Sequence, residues 1–335
     1  MYKKGYDELA STFQKTVAGI SEGGVIRMKT AALITAAGMS SRMGDFKPML
    51  NIGSISIAKR VIATFRQAGI QRIVMITGYH AQELEHHLSG EGLIFLQNEA
   101  YKTTHMFDSV KIGLSYLQDK CDAVLMTPVD IPLFTADTVK KLMFSGKKLA
   151  CPACQGQTGH PILIGSCLIP GILRDSGQGG LKGALERCSE QMAEIAVKDP
   201  GILHDADTPE DYSALLRYHN SQLIRPVVTA ALCREKPFFD QMTAMLLTLV
   251  DETGSVSAAG KQMKLSYSSC WNKIHTLENQ LNCTLVERSQ GGAGGSASHL
   301  TAQGKELVAR YRIYEEKLNQ QAQVLFDQVF GGMFP

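Results

Sequence analysis

Hydrophobic positions along the chain follow two rhythms. From residue 30 to about residue 216, short unbroken apolar runs alternate with stretches in which apolar residues recur every three or four positions. The runs at 31 to 36, 71 to 77, 93 to 97 and 123 to 127 read as strands buried on both faces. Between them, Ile57, Val61 and Phe65, then Leu84 and Leu88, then Val110, Leu114 and Leu117 mark helices that lay one face on a sheet. This strand and helix alternation with short connections predicts an α/β domain with a mostly parallel sheet covered on both sides. From Leu223 the rhythm turns helical. Helices are expected over 257 to 263 and 266 to 279, joined by a short turn around Leu265, with Ser266 as cap and with Trp271, Ile274, Leu277 and Leu281 facing a core. The glycine cluster at 291 to 295 then precedes a long last helix with the stripe Leu307, Tyr311, Tyr314, Leu318, Ala322, Leu325 and Val329. Ahead of the first strand, Tyr6, Leu9, Phe13 and Val17 keep helical spacing up to the Gly23-Gly24 break. The expected division is a helical extension over 1–29, an α/β domain over 30–213, a linker over 214–236 containing Pro226, and a helical domain over 237–335.

With 335 residues, 44% of them hydrophobic and 20% charged, the chain is long enough for two globular domains. A net charge of +2 gives no global pull toward nucleic acid, so any DNA-binding surface must be local. Eight scattered cysteines without a signal peptide fit reduced thiols in a cytoplasm, and no apolar run reaches membrane-spanning length. Cys151-Pro-Ala-Cys154 has redox or zinc spacing, but it lacks a second ligand pair and reads as core thiols beside a strand.

The first strand runs into Ala36-Ala37-Gly38-Met39-Ser40-Ser41-Arg42-Met43-Gly44, followed by Lys47-Pro48. A loop leaving the carboxyl end of a parallel strand reaches the ligand crevice of an open sheet. Gly38 and Gly44 let main-chain N–H groups approach phosphate oxygens, while Arg42 and Lys47 bring a planar fork and a point charge to a triphosphate. The spacing is neither a Walker A loop nor a dinucleotide fingerprint. Asp130, in Pro128-Val129-Asp130-Ile131-Pro132, stands at the end of another strand, and Asp205-Ala206-Asp207-Thr208-Pro209-Glu210 gives a second acidic stretch. The second stretch also reads as a helix start, with a cap and an acidic first turn.

These segments resemble the nucleotidyltransferase superfamily, in the branch that attaches a nucleotide to molybdopterin, which implies a Rossmann-like fold. The resemblance implies Mg²⁺ on Asp130 and Asp207, with Asp205 in reserve, and catalysis by Arg42, Lys47 and Asp130. It implies a nucleotide site of Ala36, Ala37, Gly38, Ser40, Ser41, Arg42, Gly44, Lys47, Thr77, Gly78, Asn98 and Ser109. Gly159-His160-Pro161 resembles the acceptor loop; His160 taken alone reads rather as a hydrogen-bonded structural histidine, and within the triplet the two readings stand level. Ala-Ala-Gly followed by Ser-Ser-Arg-Met-Gly, together with Thr77-Gly78-Tyr79, resembles the members that use CTP, which points to the molybdenum-cofactor cytidylyltransferases. Glu99, His105 and Val129 depart from residues that family often carries. The implied reaction passes CMP from CTP to molybdopterin and releases pyrophosphate; transfer to another acceptor such as a sugar phosphate would use the same chemistry.

In the second half, Ser268, Ser269, Asn272 and Lys273 are left on the open side of the 266 to 279 helix, as in a recognition helix that enters a major groove. The text Glu252-Thr253-Gly254-Ser255-Val256, Leu265-Ser266-Tyr267, Trp271, the glycine cluster and Leu300-Thr301 resembles the N-terminal winged helix-turn-helix domain of the molybdate-responsive regulator, related to LysR-type proteins. Arg288, next to the implied wing, completes the expected DNA-binding set. Residues 254 to 312 hold four lysines and three arginines against three glutamates, a modest basic footprint. Ser268 and Ala293 stand where relatives place basic residues. The final stripe implies a homodimer reading a pseudo-palindromic duplex. Two functions follow: an active transferase with a DNA-binding tail, or a transcription regulator whose transferase-like half only senses nucleotide or cofactor.

Overall fold

The computed structural model of the chain describes residues 28–39, 46–221, 226, 228–289, 297–331 and 333. The expected helix over 1–29 lies outside the described residues except for its last two positions, which are not helical.

Along the first half the elements run β1 (Thr30–Ala36), the small hairpin β2 (Asn51–Ile52) and β3 (Ile55–Ser56), α1 (Ile57–Gln67), β4 (Arg72–Thr77), α2 (Ala81–His87), β5 (Ile94–Gln97), α3 (Met106–Leu117), β6 (Ala123–Pro128) and α4 (Ala136–Met143). They continue with β7 (Leu149–Cys154), β8 (Gln157–Thr158), β9 (Ile162–Gly165), α5 (Ile169–Arg174), α6 (Gly180–Glu186), β10 (Ala193–Ala196) and α7 (Pro209–Ser221). All but β2 and β3 of these strands form one sheet in the order β10-β7-β9-β6-β1-β4-β5, with β8 on β7. β1 lies inside the sheet, parallel to both β4 and β6, while β9 runs against β6 and β7 and β8 runs against β7.

Alternate side chains of β1 feed opposite layers, as the two-residue period of a strand requires. Ala31 and Leu33 face a layer built from Val110, Leu114 and Leu117 of α3 with Ile169 and Leu181 of α5 and α6. Ala32 and Ile34 face Ile57, Val61 and Phe65 of α1, Leu84 of α2 and Val139 of α4. The helical spacings seen in the sequence are therefore the buried faces that cover the sheet on both sides. The cysteines at 151 and 154 are buried free thiols on β7, Cys154 in the layer that Ala32 and Ile34 face.

The second half holds a hairpin, β11 (Ala231–Cys233) with β12 (Pro237–Asp240), then α8 (Gln241–Thr253), α9 (Val256–Gln262) and α10 (Tyr267–Leu281), a second antiparallel pair, β13 (Val286–Ser289) with β14 (Ala297–Leu300), and α11 (Ala302–Phe330). Residues 231 to 233, within the stretch read as linker, are thus a strand. Each helix from α8 to α11 is capped by a side chain, from Asp240, Ser255, Ser266 and Thr301 respectively. Between α9 and α10 the chain turns through Lys264 in the left-handed region, φ 55°. Gly260 must lack a Cβ there, because one would lie 2.8 Å from the Cys270 sulfur. Ile274 and Leu277 of α10 are fully buried, whereas Trp271 and Leu281 are half-buried at the rim of the core.

The two halves meet along α2, β4, β5 and α3 of the first. Lys264 Nζ stands 3.1 Å from Glu85 Oε2, Tyr116 donates to Gln262 Oε1 at 2.7 Å, and Arg72 pairs with Glu252. The apolar layer beneath α3 continues into the core around Phe239, Leu246 and Val250. No helix among the described residues is long and apolar enough to cross a membrane.

Candidate active site

Strand ends determine where the site lies. β1 and β6 are neighbours, so Ala37-Gly38 and Val129-Asp130 leave the sheet side by side, stitched by the Val129 N–H donating to Thr35 O at 3.0 Å. A second stitch, the Ala206 N–H donating to Asp130 O at 3.0 Å, brings in the other acidic stretch. Thr208 caps α7 reciprocally with Asp211: the Thr208 N–H reaches Asp211 Oδ2 at 2.9 Å and the Asp211 N–H reaches Thr208 Oγ1 at 3.2 Å. The helix start is thereby served by Thr208, and Asp207 projects elsewhere.

Asp207 meets Lys47. The ammonium lies 2.6 Å from Asp207 Oδ1 and 3.8 Å from Asp130 Oδ2, and Lys47 is only 8% exposed. A lysine so enclosed needs carboxylates around it. Burial pushes the Asp130 carboxyl above its ordinary value, Lys47 opposes this, and Asp207 and Asp205 add to it. Asp205 is raised in the same way, by burial and then by Asp207 and Asp211. Two carboxylates from separate segments, crowded by a third, suit Mg²⁺, which takes few protein ligands and completes its shell with water and phosphate oxygens. No group of three or more His, Cys, Asp or Glu ligands is gathered among the described residues.

Thr35, Ala36, Ala37, Gly38, Lys47, Pro48, Pro128, Val129 and Asp130 form one side of a cleft, and Asn98, Tyr101, Thr104, His105, Met106 and Ser109 the other. Thr35 and Thr104 were not among the residues drawn from the sequence; their place on a strand end and just before α3 was the available signal. Ser40, Ser41, Arg42 and Gly44 lie outside the described residues. Thr77 is buried and its hydroxyl donates to Glu85 Oε1 at 2.7 Å, so its side chain is turned away from the cleft. Gly78 is the wall behind the cleft: a Cβ there would lie 2.8 Å from Ala37 O and 2.9 Å from Tyr101 Cβ. Gly159, His160 and Pro161 lie apart from the cleft lining, on the loop before β9. The His160 N–H donates to Ile202 O at 3.2 Å, its Nδ1 is enclosed without a partner, and burial lowers its pKa, which keeps the ring neutral.

In the helical half, Ser268 and Asn272 are exposed and Ser269 and Lys273 half-exposed on one side of α10. They line a polar hollow with Asp240 and Thr243. Arg288 of β13 lies over the Trp271 ring at 4.2 Å and donates to Tyr267 Oη at 3.4 Å, while Trp271 stacks on His275. The glycine cluster falls outside the described residues; β13 and β14 on either side of it pair as expected for the stem of a wing.

Comparison with known proteins gives both halves a family. The MobA-like NTP transferase domain matches residues 32–193, and the bacterial regulatory helix-turn-helix protein, lysR family, matches residues 244–305. The chain is 30% identical over 182 residues to the molybdenum cofactor cytidylyltransferase of Escherichia coli, covering 54% of this chain and 92% of that protein. It is 36% identical over 78 residues to the transcriptional regulator ModE of Yersinia pestis, 23% of this chain and 30% of that one. Among solved structures, a nucleotidyl transferase from Methanothermobacter thermautotroptrophicus superposes with a TM-score of 0.51 at 19% identity, over 57% of this chain and 98% of that one, a likeness of fold. The chain therefore belongs to the MobA-like NTP transferase family and carries, after that domain, a helix-turn-helix domain of the bacterial regulatory lysR type.

Proposed function

We propose that this chain transfers CMP from CTP to the terminal phosphate of molybdopterin, and that its second domain binds duplex DNA as a homodimer. One observation carries the enzymatic reading: Lys47, Asp130 and Asp207, distant in sequence, converge at the carboxyl edge of the sheet beside the loop that follows β1. An acceptor phosphate oxygen forms a bond to the α-phosphorus, the bond to the β-phosphate oxygen breaks, and pyrophosphate leaves; no protein nucleophile is needed. Lys47 neutralises phosphate charge and Arg42 is assigned the same task. When bound, Mg²⁺ on Asp130 and Asp207 offsets the charge that grows on the departing pyrophosphate. Ala37 lines the cleft where a second glycine would leave more room, which favours a pyrimidine, and the cytidylyltransferase relative points the same way. His160, neutral and fixed on its backbone, belongs to the acceptor side with Gly159 and Pro161.

For the second domain, Ser268, Ser269, Asn272, Lys273 and Arg288 form the reading surface, and it is uncovered while the cleft is also open. We place the boundary between the units within the 214–236 stretch, before β11. The two-copy state rests on α11, where Tyr314, Leu325 and Val329 are 46%, 59% and 62% exposed on the apolar stripe.

Pyrophosphate release from CTP and from GTP, with molybdopterin and Mg²⁺ present, tests the reading. Faster turnover of CTP, lost in Asp130→Ala, is the expected result. Faster turnover of GTP would overturn the assignment of the nucleotide. CTP binding without turnover would instead favour a regulator whose transferase-like half senses the nucleotide.

A further inference from the structure

One contact on the seam between the two halves leads to the cleft. Thr77 ends β4, and the loop 78 to 80 that follows carries Gly78, the wall behind the cleft, before α2 begins at Ala81. The Thr77 hydroxyl donates to Glu85 Oε1 of α2 at 2.7 Å, so the two ends of that loop are tied by a buried bond. The wall is closely held: the Tyr79 N–H donates to Ala37 O at 3.3 Å, the Asn98 N–H donates to Thr77 O at 2.8 Å, and Ala37 and Tyr101, which line the cleft, already fill the space a Gly78 Cβ would need. Glu85 Oε2, the other oxygen of the same buried carboxylate, faces Lys264 Nζ at 3.1 Å. Lys264 lies in the left-handed turn between α9 and α10, in the other half of the chain. A buried carboxylate needs a cation or donors to hold it, and the hydrogen bond it accepts is stronger than a neutral one. A second and poorer acceptor, Leu96 O on β5, stands 3.5 Å from the Thr77 hydroxyl. Without Lys264 the carboxylate is drawn toward water, the Thr77 proton turns to Leu96 O, and α2 is no longer tied to the end of β4.

We infer that Lys264, a residue of the helix-turn-helix half, is a positioning residue for the transferase cleft: through Glu85 and Thr77 it fixes the Gly78 wall, so the cleft takes its nucleotide fully only while the second half is docked. The inference rests on the reading of the cleft as a nucleotide site and says what regulates it. The other polar contacts of the seam do not lead there. Arg72, paired with Glu252, begins β4 at the end away from the cleft, and Tyr116, bonded to Gln262, lies in the last turn of α3, whereas the cleft residues Met106 and Ser109 lie at its start. Coupling of this kind is reciprocal. Whatever lifts the turn at Lys264 from α2 weakens nucleotide binding, and a bound nucleotide, by steadying the wall, holds that turn in place.

The test is calorimetric binding of CTP with Mg²⁺ to the full chain. Wild-type binding is measured first; a chain without affinity for CTP contradicts the nucleotide reading itself. Given binding, Lys264→Met is expected to raise Kd about fivefold, the lower end of ordinary coupling between sites, and Lys264→Arg, which keeps a cation beside Glu85, to restore most of the affinity. Glu85→Gln puts an amide in place of the carboxylate and should raise Kd to a similar extent, and the double variant should be no worse than either alone, because both break one chain of contacts. Arg72→Met, which loosens the seam at its far end, should lower the melting temperature and leave Kd for CTP near that of the wild type. An unchanged Kd in Lys264→Met overturns the positioning role. An equal rise in Arg72→Met overturns it too, since loosening of the seam anywhere would then suffice, and additive effects at 85 and 264 show that Lys264 does not act through Glu85. Should Lys264→Met not fold, hydrogen exchange of the wild-type chain decides: CTP with Mg²⁺ should slow exchange of the amides at 261 to 266, and unchanged exchange there overturns the coupling.

Discussion

Lys47, Asp130 and Asp207 form a small electrostatic machine whose tension is visible at each residue. Asp130 is held above its ordinary pKa mainly by burial, so the folded state without metal binds its proton more tightly than the unfolded chain does. Between the unfolded value and the raised folded one, the fold therefore loses stability as pH rises. Asp130→Asn removes that loss, and its thermal midpoint near pH 7.5 should equal or exceed that of the wild type while pyrophosphate release is abolished; a midpoint several degrees lower would contradict this account. Such a trade of stability for activity is common where like charges are gathered for function. Lys47→Met should cut pyrophosphate release by roughly 100-fold or more, since it removes a preorganised positive charge from the phosphate site, and steady-state assays of the pure variant check it. All three residues stood out in their motifs. That Lys47 bridges both carboxylates was not, because 83 and 160 residues of chain separate it from them and only the sheet's strand order closes that distance.

Helices and strands show a sharper division between what a segment declares and what its neighbours impose. α3 and α10 were readable from spacing and caps, and Ser266 accepts from the Ser269 N–H as its position predicts. Ser266→Ala should therefore cost about 1 kcal/mol, read as a shift in urea midpoint. Asn272→Ala with Lys273→Ala should weaken duplex binding and flatten its salt dependence by roughly one ion; binding that keeps its salt slope would remove Lys273 from the interface. Trp271 shows the limit of periodicity. Its spacing places it with Ile274 and Leu277, but Cys270 takes the fully buried place in that turn, and the Trp271 ring rests half-buried beneath Arg288 and against His275. The short strand at 231 to 233 escaped notice because three residues carry no period of their own; pairing with β12 creates it. On α11 the apolar stripe outlasts the body it packs on, and Leu325→Glu with Val329→Glu should shift a dimer to monomer by light scattering if a second copy covers that face.

Across the whole molecule the domains are joined more firmly than a linker would suggest. Glu85 is 7% exposed, and its ammonium partner, Lys264, belongs to the turn that precedes α10. Burial among the carbonyls of Ile70, Glu91 and Gly92 lowers the pKa of Arg66 to about 10, and Glu315 of α11, then Glu91 and Tyr311, oppose that fall. Lys264→Met leaves Glu85 enclosed without that charge. A cost of about 1 to 2 kcal/mol, reduced because Lys264 is partly exposed, should appear as a lower melting point of the transferase half. The wild-type chain should melt in one transition by calorimetry; two well-separated transitions would show that the seam couples the halves weakly.

The sequence by itself determined the local elements and the chemical inventory: apolar runs buried on both faces must become interior strands, three- and four-residue spacings must become helices that cover them, and Lys47, Asp130 and Asp207 supply the charges. Only the tertiary structure decided which groups are spent and which remain. Thr77 is committed to Glu85 and Asn98 to the hydroxyls of Thr104 and Ser109, while Ser268 and Asn272 stay exposed. Hydrogen-bond satisfaction and charge pairing depend on partners tens of residues away, and a linear pattern holds no record of those distances until the sheet sets its strand order.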